Sequence, residues 1–268
     1  MIRSLVVTGL LCGIAAAVTP AAAQDLGRQI ARAPDGEVRV AFAARPGVYG
    51  DGRNVIAWDC GTGRCRQVQG NYSDDWDNDW RSSCDSGPVR VVLAVRGGTV
   101  TRAKVHVGGR WPAAAAGVTD LGTVSTQVAT AYLLGLAGTA TGEVGSAAVF
   151  AATLADSVTV WPDLLRLARS PQVVEHTRRS AVFWLGQAAS EAATRGLADL
   201  VDDSTGSREV RNAAVFALSQ RPRDEGVPAL IRVVRTNRDP DVRRKALFWL
   251  GQSGDPRALA LFEELLIK

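Results

Sequence analysis

The residues able to do acid–base or nucleophilic chemistry are few and scattered. The chain has 268 residues but two histidines, His106 and His176, and neither stands beside a serine or cysteine nucleophile in the sequence. No Gly-x-Ser-x-Gly, His-Glu-x-x-His or phosphate-binding Gly-Lys-Thr pattern is present. The sequence therefore predicts a protein that is not an enzyme and that uses no cofactor. An unrecognised lyase-type or hydrolytic activity is the remaining catalytic alternative, because a site can be built on any scaffold.

One acidic run could bind a cation. Asp75, Asp77 and Asp79 stand two residues apart, as the first ligands of an EF-hand calcium loop do. Trp80 occupies the position that needs glycine, and Ser86 replaces the closing glutamate. An EF-hand is thereby excluded. The three aspartates are kept only as a candidate for a looser cation site, and a solvated loop is the favoured interpretation.

The first 23 residues have the pattern of a secretory signal peptide. Arg3 provides the positive start, Leu5–Val18 the apolar stretch and Ala21–Ala23 the small-residue cleavage site. The apolar stretch is shorter than the roughly 20 residues of a membrane-spanning helix, and no later segment is apolar for long enough. We predict an exported protein, periplasmic or extracellular, that does not span the membrane.

Export decides the expected oxidation state of the cysteines that follow the predicted leader. They are Cys60, Cys65 and Cys84. Disulfides persist in an oxidising compartment, so three cysteines predict one bridge and one free thiol, with all three pairings open. A zinc site would need a fourth ligand, and neither histidine stands at a suitable spacing. Structural bridging is the favoured interpretation, and no metal is predicted here.

The charge balance argues against a nucleic-acid partner. Lysine and arginine total 31 against 27 aspartates and glutamates, which gives a net charge of +4. A nucleic-acid interface needs clustered basic residues on one face, and this excess is too small to provide them.

The sequence pattern of residues 36–111 is typical of a small β domain. Apolar residues recur at every second position at Val38, Val40 and Phe42, as in a half-buried strand. The segments 89–95 and 99–107 show the same two-residue period. Pairing Val95 with Thr99 leaves a three-residue loop, Arg96–Gly98, between the last two strands. A two-residue loop would turn Arg102 and Lys104 onto the apolar face. We therefore predict an antiparallel, disulfide-containing sheet with the longer loop.

The chain from residue 118 to 268 is helical and repetitive. The pattern Ala-x-Phe, with valine or leucine between, ends at Phe150, Phe183, Phe216 and Phe248, which are 33, 33 and 32 residues apart. A second amphipathic segment lies between successive copies. Two helices in about 33 residues, each pair covering its neighbour's apolar face, are typical of an α-solenoid. The fold class predicted is therefore α+β in two parts, a β domain followed by an α–α superhelix.

The most complete copy of the repeat resembles a known repeat family. The segment 239–247, running into Leu250-Gly251 and Gly254-Asp255-Pro256, resembles the short HEAT-like repeat of the phycobilin-lyase type. Weaker copies begin at Arg178 and Val210, and a degenerate one lies at residues 144–156. The resemblance implies a curved helical stack that serves mainly as a binding scaffold, with enzymes as a minority of relatives.

The four phenylalanines form what we call the aromatic row. On a helical wheel Phe248 falls nearly opposite Val242, Ala246 and Leu250. Apolar groups left in water over several repeats mark a partner site, so we predict a binding strip of phenylalanines with glutamines one turn later. The strip comprises Phe150, Phe183, Gln187, Phe216, Gln220, Phe248 and Gln252. The alternative is that each phenylalanine is buried as a wedge between helices. Trp184 and Trp249 are expected in the core.

A second recurring residue is an arginine near the start of each of the later copies. Arg178, Arg211 and Arg243 occupy this position. In HEAT-like families such an arginine pairs with an acid in the preceding turn, which Asp239 or Asp241 would supply here. We favour a structural charge ladder between repeats over an anion-binding or partner site.

These patterns together predict an exported, non-enzymatic scaffold that binds a protein or peptide along the solenoid. In the alternative, the solenoid only supports or dimerises the β domain, with a homodimer formed through the uncapped C-terminal helix.

Overall fold

The computed structural model describes residues 20–50, 52, 55–57, 67–69, 85–109, 111 and 113–267. The cysteines of the predicted disulfide, Cys60, Cys65 and Cys84, lie outside these described residues, as do Asp75, Asp77 and Asp79 of the candidate cation site. Most of the predicted leader also lies outside them. These expectations therefore stay predictions.

The fold starts with a helix that the sequence analysis did not predict. Helix α1 spans Pro20–Arg32 and buries Leu26 and Ile30. These two side chains are four residues apart, so they share one helix face. That face packs on the helix α2, Thr126–Thr139, where Tyr132 lies against Gly27.

Seven strands build two small sheets: β1 Gly36–Phe42, β2 Val48–Gly50, β3 Val55–Ala57, β4 Gln67–Gln69, β5 Val89–Arg96, β6 Thr99–Val107 and β7 Val118–Thr123, counted over the described residues. The larger sheet has the order β6-β5-β1-β7, and the smaller one has the order β2-β3-β4. Valine alternation in β5 puts Val89, Val91, Leu93 and Val95 on the buried face.

The larger sheet is mixed rather than antiparallel. β1 pairs antiparallel with β5, but β7 lies parallel to β1 on its other side. β7 is only half-buried and carries no clean alternation, so its sequence gave no strand signal. The sheet therefore continues beyond residue 111, and the first helix of the stack begins at Thr126.

The hairpin between β5 and β6 differs from the predicted one. Arg96 faces Thr99 and Val95 faces Val100, so the turn has two residues, Gly97-Gly98. Both glycines have positive φ, as this turn requires. A bulge after Ala94 then shifts the register by one residue, and Leu93 faces Ala103. The bulge keeps Arg102 and Lys104 off the apolar face, which is why a two-residue turn is compatible with the pattern.

Nine helices follow the larger sheet within the described residues. They are α2, α3 Val144–Thr153, α4 Trp161–Arg169, α5 Glu175–Gly186, α6 Glu191–Asp202, α7 Arg208–Ser219, α8 Arg223–Thr236, α9 Pro240–Ser253 and α10 Pro256–Ile267. Helices α3, α5, α7 and α9 pack side by side in one row, which we call the second-helix row. The others form the first-helix row. The predicted helical solenoid and the two-part α+β class are thus confirmed.

Helix ends in the stack follow local capping rules. Ser207 accepts a hydrogen bond from the backbone N–H of Val210, at 3.2 Å, at the start of α7. Asp239 does the same for Asp241 and Val242 before Pro240. At its other end α9 stops at Gly254, whose φ of 61° suits glycine.

The sheet and the solenoid share one core. Buried side chains form a continuous cluster from the sheet through the helical stack. The seam is closed by backbone hydrogen bonds, from the Arg45 N–H to the Leu154 carbonyl at 2.8 Å and from the Asp156 N–H to the Ala43 carbonyl at 3.0 Å. Among the described residues, no helix combines the length and hydropathy needed to cross a membrane.

Candidate functional site

The aromatic row lies on one side of the second-helix row. In each of its four helices, the alanine two positions before the phenylalanine is fully buried; these alanines are Ala148, Ala181, Ala214 and Ala246. Two residues correspond to 200° on a helix, so the phenylalanine points to nearly the opposite side. The repeat spacing thus aligns Phe150, Phe183, Phe216 and Phe248 on neighbouring helices.

Exposure varies along the row. Phe150 is only 5% exposed and Phe216 is half-buried, but Phe183 is 41% exposed and Phe248 is 58% exposed. Phe150 therefore fits the buried interpretation, whereas Phe183 and Phe248 fit the exposed one. Whether the row binds a partner stays a prediction.

The tryptophans explain this alternation. The Trp184 ring stacks on Phe150 with centroids 5.2 Å apart and meets the edge of Phe183 at 5.1 Å. Each of these ring pairs contributes about 1 kcal/mol beyond the area it buries. Trp184 is half-buried and packs against the core, so the core expectation holds for only part of its surface. We call Phe150, Trp184 and Phe183 the N-terminal triad.

The same arrangement recurs two repeats later. Trp249 lies 5.0 Å from Phe216 and 5.0 Å from Phe248, and it is half-buried as well. We call Phe216, Trp249 and Phe248 the C-terminal triad. In both triads the tryptophan belongs to the later helix and joins it to the helix before.

A groove of about 920 Å³ runs along the row over helices α3, α5 and α7. Its apolar lining includes the N-terminal triad and Phe216, and its polar lining includes Arg179 and Glu209. At one end the His176 Nε2 lies 3.0 Å from the Glu143 Oε2. The groove thus combines aromatic surface with charges of both signs.

Two polar atoms of the groove residues have unused hydrogen-bonding capacity. The Ser146 Oγ and the Asn212 Oδ1 are buried, and each is without a hydrogen-bond partner within the described part of the chain. Buried polar atoms are normally satisfied in folded proteins. Both lie one turn before a phenylalanine of the row, at Phe150 and Phe216.

The predicted glutamines lie at or near the C-terminal ends of their helices, and whether they form one binding strip with the phenylalanines stays a prediction. Gln187 and Gln220 are the C-cap residues of α5 and α7, at the helix ends. Gln220 and Gln252 line a separate cleft of about 250 Å³ beside Trp249. The spacing of four residues places each glutamine one turn beyond its phenylalanine, where the helix is already ending.

The recurring arginines have structural partners. Arg211 pairs with Asp239 of the next repeat at 3.2 Å, and Arg243 donates to the backbone carbonyl of Asn237 at 2.8 Å. The backbone N–H of Asp241, with help from Arg211, lowers the pKa of Asp239. Arg178 lies 3.9 Å from Glu175. The acid that Arg211 uses is thus in the following repeat rather than in its own preceding turn.

Arg221 is a buried cation between two repeats that no sequence pattern indicated. Its Nε donates to the Thr194 hydroxyl at 2.7 Å, and its terminal nitrogens donate to Glu225 at 2.9 Å and to three backbone carbonyls. These carbonyls belong to Gly186, Ala188 and Ser190. All five N–H donors of the guanidinium are used. We call this network the Arg221 junction.

Glu225 is held ionised by the Arg221 junction. The Thr194 hydroxyl and the Arg221 guanidinium both donate to its carboxylate, and they hold its pKa below the ordinary value. No recurring sequence signal marks this junction, because the residues equivalent to Arg221 in the neighbouring copies are Ala188 and Ser253.

Metal-binding clusters are not formed by the histidine, cysteine, aspartate and glutamate residues that the structure describes.

Comparison with known proteins supports the repeat assignment. Residues 204–268, which contain helices α7–α10, match the family model of HEAT repeats, and the N-terminal part matches no family model. No curated protein matches the chain. Helices α2–α6 precede the matched segment and stack in the same two rows. Residues 204–268 are therefore HEAT repeats, as the sequence pattern predicted.

Proposed function

We propose that the protein is an exported, non-enzymatic scaffold that binds a protein or peptide partner along the aromatic row. HEAT repeats serve generally as interaction scaffolds, since stacked helices present a long continuous surface. The observation that supports this site is the exposure of Phe183 and Phe248 at equivalent positions of two helices. Each is fixed by a tryptophan behind it, so little side-chain entropy is lost on binding.

The groove chemistry favours a polypeptide partner. Aromatic side chains supply the apolar contact area of binding hot spots. Arg179 and Glu209 offer one charge of each sign, which a peptide with mixed charges would complement.

Export is the second part of the proposal. It is supported by the Arg3, apolar and Ala21–Ala23 pattern. Helix α1 runs through the predicted cleavage point, but its buried anchors, Leu26 and Ile30, both follow Ala23. Cleavage there would leave these contacts in place. Mass spectrometry of the protein from the exported fraction should give an N-terminus at Gln24, and an intact Met1 would contradict export.

The binding proposal is tested with a displayed library of random peptides of about 16 residues, long enough when extended to cross four helices. Peptides selected on the full chain are measured by fluorescence anisotropy against the Phe183→Ala and Phe248→Ala variants. We expect affinity to fall at least tenfold in at least one variant, with the thermal midpoint within a few degrees of the original.

Leu259→Ala is the matched control. Leu259 is 61% exposed but lies on α10, outside the aromatic row. Peptide affinity should be unchanged in this variant. Selected peptides that bind Phe183→Ala and Phe248→Ala as well as they bind the original chain would refute the row as the binding site.

A homodimer through α10 remains the second candidate. This helix leaves Leu259, Leu265, Leu266 and Ile267 exposed, with the last two at 86%. Sedimentation equilibrium of the full chain and of a Leu266→Asp variant tests it. A dimer that the aspartate dissociates would support this candidate, and a concentration-independent monomer would contradict it.

A further inference from the structure

The second-helix row carries a longer period than the single repeat. Helices α5 and α9 both read Arg-Arg-x-Ala-x-Phe-Trp-Leu-Gly-Gln, with 65 residues from Phe183 to Phe248. Helices α3 and α7 instead have alanine after the phenylalanine, at Ala151 and Ala217. The repeats therefore alternate between two types, and two consecutive repeats form one unit of the binding surface.

The two units share one ring contact and differ in the other, because the Phe150–Trp184 pair is stacked at 27° and the Phe216–Trp249 pair is tilted at 55°. In each triad the exposed phenylalanine meets its tryptophan edge-on, at 84° for Phe183 and 78° for Phe248. The tryptophan in turn covers the less exposed phenylalanine of the preceding helix, Phe150 or Phe216. The surface thus offers two apolar platforms, each with an exposed phenylalanine held edge-on by a tryptophan.

Each exposed phenylalanine also has an arginine one helical turn before it. Arg179 precedes Phe183, and across the described part of the chain no carboxylate lies within ion-pair distance of it. Arg244 precedes Phe248; its contact with Asp241, at 3.0 Å, leaves 77% of its side chain exposed. Asp241 is shared with Arg208, so positive charge remains in excess beside Phe248. The arginine beside each exposed phenylalanine therefore favours an acidic residue at that point of a ligand, and Glu209 lines the same groove on the side of Phe216.

The spacing of the platforms sets the spacing of the ligand. Phe183 and Phe248 lie two helices apart in a row of helices packed side by side. Packed helices are about 8–10 Å apart, so the platforms are separated by roughly 16–20 Å. An extended chain rises about 3.3 Å per residue, so five or six residues span this distance.

We infer that the two triads bind one extended polypeptide segment at two points. The segment carries two large apolar side chains five or six residues apart, each beside an aspartate or glutamate. This inference rests on the proposed peptide-binding function and adds the ligand's pattern to it. Because the two contacts are linked, binding at the second becomes intramolecular, and the affinity exceeds that of either contact by about a hundred- to ten-thousandfold.

The test uses synthetic probes built on a flexible glycine–serine chain. One probe carries two Trp-Glu pairs with the tryptophans six residues apart, a second has them three apart, and a third has a single pair. Isothermal titration calorimetry on the full chain should show the six-residue probe binding at least tenfold tighter than the other two. Each of the variants Phe183→Ala and Phe248→Ala should reduce the affinity for the six-residue probe to that for the single-pair probe.

The charge requirement is tested by Arg179→Glu. This variant should weaken the Glu-containing probe at least fivefold and strengthen a probe in which lysine replaces glutamate. Arg102→Glu, an exposed arginine on β6, is the matched control and should change neither affinity.

Four results would overturn the inference. Equal affinity for all spacings, or full affinity in Phe248→Ala, would show that only one triad binds. Failure of every probe while library peptides still depend on Phe183 would reject this ligand pattern and leave the proposed function standing. Failure of the probes together with peptides that ignore the aromatic row would reject both.

Discussion

The Arg221 junction and the aromatic triads both join neighbouring repeats, but they do so by opposite means. The junction buries a cation and satisfies all of its donors inside the protein. The triads join helices by ring contacts and leave one ring of each partly in water. Different residues therefore hold the repeats together and expose the binding surface. The stability of the stack and the binding of a partner can thus be perturbed separately.

The largest effect is expected at the junction. Arg221→Ala removes the guanidinium donors from the Glu225 carboxylate, which keeps the Thr194 hydroxyl, and from the carbonyls of Gly186, Ala188 and Ser190. Removing one partner of a buried ion pair costs about 4 kcal/mol of the free energy of unfolding. Urea denaturation measures this loss. A change below about 1 kcal/mol would mean that water replaces the guanidinium at little cost.

The next effect separates the two ends of the N-terminal triad. Phe150→Ala should lower the free energy of unfolding by about 3 kcal/mol, because the ring is 5% exposed and its removal leaves a cavity. Phe183→Ala, at 41% exposed, should cost only about 1 kcal/mol. Urea midpoints of the two variants give the comparison. Equal losses would show that Phe183 is a core residue and would remove the basis of the binding surface.

A smaller effect depends on pH. The folded protein holds the pKa of Glu225 below 4.5, so at acid pH the unfolded chain binds the proton more readily. This contribution is therefore complete above pH 4.5 and is lost as the pH falls. Glu225→Gln should be about 2 kcal/mol less stable at neutral pH, and the gap should narrow below pH 4.5. Urea denaturation across pH 3–7 checks this; a constant gap would contradict it.

The smallest effect is expected on the first-helix row. Arg235 of α8 pairs with Glu264 of α10 at 2.7 Å, but both side chains are largely solvated. Such pairs contribute about 0.5 kcal/mol and weaken with salt. Arg235→Ala should stay within this range in low salt and show no difference in high salt. A loss comparable to that of Arg221→Ala would erase the contrast between solvated and buried arginines.

The sequence predicted the parts of the fold that depend on periodicity. The spacing of the four phenylalanines located the solenoid, and the helical wheel of α9 placed Phe248 opposite Ala246 and Leu250 correctly. The repeat period alone could not reveal that the exposure of the phenylalanines alternates. Their exposure depends on whether a tryptophan or an alanine fills the space between neighbouring helices. The glutamine spacing likewise did not show that these residues lie at or near the ends of their helices, and their part in binding stays a prediction.

Features held by tertiary contacts were harder to predict. β7 is a parallel strand whose partner, β1, lies about 80 residues earlier, so no local pattern marks it. The bulge after Ala94 reconciles a two-residue turn with the apolar face, a solution that strict alternation does not consider. Arg221 has five acceptors spread over three segments and no equivalent in other repeats.

The seam between Arg45 and Leu154 has a consequence for how the stack comes apart. Repeat arrays lose their outermost units first unless something seals the end. Here α1 and the mixed sheet cover the side of α2 and α3 on which an earlier repeat would otherwise stack. The sheet, which is not itself a helical repeat, thus caps this end of the helical array. Amide exchange should therefore be slower in the repeats that contact the sheet than in repeats farther along the stack.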